Sequence, residues 1–277
     1  MSRMPSIFPL FAWLALSTMI RGDDWPHFLG PSMDTTWREE GVRTRFPEAG
    51  MPLDWEHPLG GGYSGPSVVG GKVFVMDRLA KPYEPGKVQG NPNFIRAEIP
   101  GQERVMAFDV TTGDLLWEHR YEAPYTTVYL YAIGPRCTPT VSAEQVYALG
   151  AEGHLHCLKA STGEVLWARH LPADYGVAVP EWGYAAHPLV VGDQVICMVG
   201  GDGSTVVSLD RHTGEERWRS LSSDKPGYCP PSQVTLGGRQ QVLVWHGEAL
   251  AGLNPSNGRP FWRVDAKPLY GMSIGLP

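Results

Sequence analysis

From Pro66 onward the chain alternates short apolar runs with polar turns, and the alternation keeps a period. Val73-Phe74-Val75-Met76, Val146-Tyr147-Ala148-Leu149-Gly150, Val195-Ile196-Cys197-Met198-Val199-Gly200 and Val242-Leu243-Val244-Trp245 have the length of buried strands. Each follows a shorter segment opened by proline: Pro66-Ser67-Val68, Pro139-Thr140-Val141, Pro188-Leu189-Val190 and Pro231-Ser232-Gln233-Val234. Each also precedes a second hairpin with a shared turn. Its copies are Met106-Ala107-Phe108-Asp109-Val110-Thr111-Thr112-Gly113-Asp114-Leu115-Leu116-Trp117, Leu158 to Trp167, Leu209 to Trp218 and Leu253 to Trp262. Glycine and tryptophan stand four apart in every copy: Gly113 and Trp117, Gly163 and Trp167, Gly214 and Trp218, Gly258 and Trp262. Successive tryptophans are 50, 51 and 44 residues apart. Four antiparallel strands per repeat of that length predict an all-β propeller, with four complete blades over roughly residues 60–262. A flat sandwich gives no reason for one turn to recur four times.

The turn chemistry is local. Asp or Asn opens it in three of the four copies, and glycine supplies the positive φ that a tight reversal needs. The tryptophan ends the returning outer strand. There its indole can cover the next blade, so these eight residues are expected to be architecture.

The Thr-Gly-x-x-x-Trp turn resembles the pyrroloquinoline-quinone (PQQ) enzyme repeat. So does Val146-Tyr147-Ala148-Leu149-Gly150-Ala151-Glu152-Gly153-His154-Leu155. Asp24-Trp25-Pro26-His27-Phe28-Leu29-Gly30-Pro31 is similar to the start of exported bacterial PQQ-like propeller proteins. The resemblance runs over residues 24–277. It implies the fold of the quinoprotein alcohol dehydrogenases and of the outer-membrane assembly protein BamB, with a ring of seven or eight blades. The chain is out of phase with its repeat. Leu53-Asp54-Trp55-Glu56-His57 reads as an outer strand lacking its blade, and Ser273 to Pro277 reads as the entry to a fifth one. The expectation is an incomplete propeller over 23–277.

Composition adds a compartment. Arg3 precedes the uncharged, mostly apolar run Ile7 to Ile20, which reads as a secretory signal over residues 1–22. The run is too short for a comfortable span, so no further membrane segment is expected. No cysteine lies near it, so a lipid anchor there is excluded, and a periplasmic or extracellular location follows. Net charge is −6, and no Lys/Arg cluster appears, which argues against nucleic acid as partner. Cys137, Cys157, Cys197 and Cys229 show no C-x-x-C spacing, so zinc is not expected. Cys157 and Cys197 fall in adjacent blades, but four free thiols are expected.

Two regions depart from the repeat. Residues 78–103 are inserted between the second and third strands of the first blade, and their prolines and glycines predict a long loop with little regular structure. The connections between blades are rich in aromatics. They should bring Tyr63, Arg136, Trp182, Tyr184, His187 and Tyr228 to one face of the propeller, the candidate binding face. Arg136 and Tyr184 are expected to contribute to binding and not to stability.

No catalytic or metal-binding residue is assigned. Gly-x-Ser-x-Gly, His-Glu-x-x-His and P-loop patterns are missing from the sequence, and no two cysteines are adjacent. Gly200-Gly201-Asp202-Gly203-Ser204 bridges two strands and reads as a hairpin turn. Two functions remain. One is a non-catalytic module that binds a protein or peptide in the cell envelope and needs no cofactor. The other is a PQQ-dependent oxidoreductase, or a relative holding a small molecule, and it alone calls for PQQ and calcium.

Overall fold

The computed structural model describes residues 22–41, 43–82, 98–126 and 133–275. The expected signal segment lies outside them except for Gly22. Among the described residues no helix is long and apolar enough to cross a membrane.

Sixteen strands form four antiparallel sheets. Blade 1 holds β1 (Ser67–Val69), β2 (Lys72–Ala80), β3 (Gly101–Asp109) and β4 (Leu115–Glu122). Blade 2 holds β5 (Thr140–Ser142), β6 (Gln145–Leu149), β7 (His154–Lys159) and β8 (Val165–His170). Blade 3 holds β9 (Leu189–Val191), β10 (Gln194–Met198), β11 (Val206–Asp210) and β12 (Glu216–Ser220). Blade 4 holds β13 (Ser232–Leu236), β14 (Arg239–Trp245), β15 (Ala249–Leu253) and β16 (Pro260–Asp265). Strands run in chain order in each sheet, so every connection within a blade is a hairpin. Among the described residues helix is confined to α1 (Leu171–Tyr175) and one 3-10 turn at Leu269–Gly271.

The repeated turn explains the repeated residues. Asp109 Oδ1 accepts from the N–H groups of Thr111 and Thr112, and Asp210 Oδ1 does the same for His212 and Thr213. The glycine of each turn has φ between +70° (Gly258) and +74° (Gly113). Two or three residues before each turn the register shifts by a bulge, between Ala107 and Phe108, Cys157 and Leu158, Ser208 and Leu209, and Gly252 and Leu253. A bulge increases local twist, which suits a blade.

The tryptophans tie one blade to the next. Trp117 Nε1 donates to Ala160 O at 3.0 Å, Trp167 Nε1 to Arg211 O at 2.9 Å and Trp218 Nε1 to Pro255 O at 3.0 Å. Each acceptor belongs to the turn of the following blade. Each indole also lies on that turn's glycine: a Cβ at Gly163, Gly214 or Gly258 would stand within 2.7 Å of the ring. Trp55 repeats the contact from outside the sheets, donating to Val110 O and covering Gly113. The Leu53–His57 segment thus does an outer strand's work on blade 1 without being a strand. Trp262 differs. It donates within its own blade to Gln241 Oε1 and is only half-buried.

The apolar cores lie between blades. One joins Phe74, Val105 and Trp117 to Val146 and Leu158; another joins Leu155 and Trp167 to Val195 and Leu209; a third joins Ile196 and Trp218 to Val244 and Leu253. At the inner strands, Ser67 Oγ donates to Pro139 O and Thr140 Oγ1 to Pro188 O. These bonds hold β1, β5 and β9 side by side.

The expected loop over 78–103 is corrected at both ends. Arg78, Leu79 and Ala80 pair with Glu103, Gln102 and Gly101, so β2 and β3 extend into it. They do so because Arg78 and Glu103 are buried and bonded instead of solvated. Residues 83–97, the loop's middle, lie outside the described residues.

All four cysteines are free and buried. Burial pushes the thiols of Cys157, Cys197 and Cys229 up to about 12, and that of Cys137 upward as well. A thiol reagent at mildly alkaline pH should leave the native protein unlabelled and label all four after unfolding; rapid native labelling of any one would contradict this burial. Trp167→Ala should cost about 3–5 kcal/mol by urea unfolding. Trp262→Ala should cost less than half of that, and equal losses would show that the inter-blade contact is not what matters.

Candidate functional site

Hydrogen bonds tie successive connections between blades to one another. Tyr63 N donates to Pro135 O at 2.8 Å, which sets the Tyr63 ring beside the next connection. The Arg136 guanidinium carbon lies 5.7 Å from that ring's centroid, and Arg136 Nη1 donates to Gly134 O. Burial lowers the Arg136 pKa, and Tyr125, Tyr63 and Tyr228 around it act in the opposite sense. Further round, Trp182 N donates to the Tyr228 hydroxyl at 3.2 Å, and Tyr228 N donates to Ser273 O at 2.9 Å. A cavity of about 210 Å³ opens beside Tyr228, walled by Val179, Pro180, Pro226, Tyr270 and Met272. Tyr270 is 73% exposed and sits at φ +58°, a left-handed conformation that turns its ring outward.

The six residues expected on this face divide. Tyr63, at 62% exposed, and the half-buried Arg136, Trp182 and Tyr228 lie along it. Tyr184 does not: it is 2% exposed, its hydroxyl donates to Val199 O, and its ring packs against Gly153. The wide spacing of that connection let α1 fold the chain back, which carried Tyr184 into the core between blades 2 and 3. His187 is covered too. Phe28 stacks on it at 4.5 Å, and burial lowers its pKa to about 4.

Phe28 belongs to an N-terminal strap. Trp25 exchanges two backbone hydrogen bonds with Val68 of β1, and Val141 N of β5 donates to Pro26 O. Met33 packs on the core between blades 3 and 4. The strap leaves a cavity of about 270 Å³ lined by Phe28, Met33, Thr140, His187, Leu189 and Pro231 among others, with no carboxylate in its wall. A calcium-bound quinone needs hard oxygen ligands, and this lining does not fit it. Among the described residues no three His, Cys, Asp or Glu side chains are placed to hold a metal.

Two polar groups at the seam of blades 1 and 2 escaped the sequence reading. Glu103, fully buried, accepts from the hydroxyls of Tyr121 and Tyr125 and from Ala151 N; burial raises its pKa against those donors. Arg78 lies 4.0 Å over the Tyr125 ring and donates to Ile99 O and Ala123 O. Beside them His119, His154 and His156 surround Tyr121, and His170 stacks on His154. Aligning the repeats on their tryptophans exposes the anomaly: the column Met106, His156, Val207, Ala251 is apolar except at His156.

Four-stranded blades closed by an aspartate-glycine turn and latched by tryptophan define a PQQ-like β-propeller. The solved quinohemoprotein alcohol dehydrogenase from Comamonas testosteroni shares the fold, with a TM-score of 0.59 and 16% identity over 88% of this chain and 41% of that one. The family model described as outer membrane protein assembly factor BamB matches residues 101–268, and the chain belongs to that family. BamB of Kangiella koreensis is 29% identical over 147 residues, 51% of this chain and 34% of that protein. The structure of BamB from Moraxella catarrhalis gives a TM-score of 0.42 and 19% identity over 62% of this chain and 50% of that one. The match thus spans about a third of the length of the curated relative.

Tyr184→Ala should lower stability by about 3–5 kcal/mol, as removal of a buried aromatic does. Tyr63→Ala, on the exposed side, should stay within about 0.5 kcal/mol. Thermal or urea unfolding separates the two, and equal losses would put both residues in the core.

Proposed function

We propose that the chain is a non-catalytic docking module of the cell envelope, exported by its N-terminal segment, which holds a protein or peptide on the face of the inter-blade connections. The observation that carries this reading is the row of Tyr63, Arg136, Trp182, Tyr228 and Tyr270, aromatic and arginine side chains braced by backbone hydrogen bonds before any partner arrives. Such side chains anchor interfaces because they bury much area while losing little conformational freedom. BamB is by name an outer membrane protein assembly factor, which supports a protein as the occupant. The partner is then a component or client of outer-membrane protein assembly.

The second reading, a PQQ-dependent oxidoreductase, draws on the likeness in fold to the quinohemoprotein dehydrogenase, and fold does not fix function. The apolar cavity under the strap weighs against it. Adding PQQ, calcium, an alcohol and an artificial electron acceptor should give no turnover, and steady reduction of the acceptor would replace the docking reading.

A photo-crosslinking residue placed at Tyr63 or Tyr270 in growing cells should form adducts with envelope proteins. The same residue at Glu164, in a turn at the far end of its blade, should not. Arg136→Ala with Trp182→Ala should weaken those adducts about tenfold at unchanged melting temperature. Adducts from Glu164 alone would move the docking face to the other side.

A further inference from the structure

The seam between blades 1 and 2 is built unlike its neighbours. From blade 1, β4 contributes His119 and Tyr121. From blade 2, β7 contributes His154 and His156, and β8 contributes His170. Their rings form one continuous stack. His156 lies 4.2 Å from Tyr121 and 5.0 Å from His119, and His154 stacks on His170 at 4.3 Å. His119 Nε2, His154 Nδ1 and His156 Nδ1 are buried without a hydrogen-bond partner. Blade 3 places Thr205 and Val207 where blade 2 has His154 and His156, and the core they adjoin there is built from aliphatic, aromatic and thiol side chains. The two imidazoles of β7 therefore stand where the next blade carries threonine and valine.

We propose that this histidine seam is an acid-operated joint: neutral, it packs blade 1 on blade 2, and protonated, it separates them. Like charges in contact cannot stay desolvated, so a charged seam must open to water. Across it, His119 of blade 1 acts on His156 of blade 2. Within blade 2, His154 acts on His156 and His170 acts on His154, and Glu103 reaches the cluster through the Tyr121 hydroxyl. Burial and these like charges lower His154 to about 4 and His156 to about 3, and burial lowers His119. Each folded value lies below the unfolded one. The stability they contribute is thus complete above the ordinary histidine value of 6.5 and is lost as pH falls toward about 4 and about 3. Glu103 works the other way, since its raised pKa favours the folded state once protonated. The histidines outnumber it.

Opening would not stop at the rings. Tyr121 also holds Glu103, and Glu103 holds Ala151 N of blade 2 and the hydroxyl of Tyr125. Loss of Tyr121 from the seam frees the base of the 78–103 insertion, where Arg78 and Glu103 are paired.

Hydrogen exchange on the full chain at about pH 7.5 and about pH 5, corrected for intrinsic rates, reads the joint directly. Protection of residues 115–122 should fall about tenfold or more in acid, while the equivalent outer strand of blade 3, residues 216–220, changes little. The double variant His154→Thr, His156→Val carries blade 3's residues and should keep its protection in acid. Uniform loss along the chain, or no loss at β4, overturns the proposal. Should the double variant not fold, titration of the imidazoles in the wild-type protein by NMR decides: rings titrating at ordinary values in the folded state overturn it, and rings titrating well below support it. Zinc(II) added at neutral pH is the remaining control. Strong thermal stabilisation that His156→Val abolishes would make the cluster a metal site and overturn the proton-operated reading.

Discussion

A tryptophan lying on a glycine of the next blade is the contact on which this structure depends. The glycine must be glycine twice over. Its φ is positive, and a Cβ would collide with the indole. The indole N–H then finds a carbonyl of the same turn, so the ring's polar atom is satisfied while its faces are buried. Most of the core lies between blades, so stability accrues chiefly at the joints between repeats.

Because the joints share one geometry, their differences carry information. The joint of blades 2 and 3 is aliphatic and aromatic with thiols, and the joint of blades 3 and 4 packs apolar side chains around Trp218. The joint of blades 1 and 2 has an apolar inner half, but its outer half holds imidazoles, phenols, a buried carboxyl and a buried guanidinium. Each buried polar atom there must find a partner or cost stability. Where partners are missing, as at the histidine nitrogens, the joint is the one most open to a change of solvent conditions.

The blades were legible because period and turn chemistry are local properties. Gly-x-x-x-Trp at 50, 51 and 44 residues, with strands on either side, leaves few alternatives to a propeller. For the candidate face the sequence placed residues on connections but not their exposure. Tyr63, Arg136, Trp182 and Tyr228 lie on connections and keep some exposure. Tyr184 and His187 were misplaced because burial on a connection depends on what crosses over it, here α1 and the strap around Phe28. The insertion was overdrawn for a related reason. Arg78 and Glu103 look like loop residues until their partners, distant in sequence, are brought to them. Long-range pairing of that kind leaves no periodic trace.

The N-terminal strap sets an order of events. Residues near Trp25 and Phe28 are made before the blades they touch, yet their contacts are Val68, Val141 and His187, spread over three blades. Met33 waits longer still, since its site lies between the third and fourth. The leading end of the chain therefore has nothing to fold against until most of the chain behind it exists. Contacts of such high sequence separation form slowly. The strap can therefore close over the inner strands only after the blades beneath it have formed.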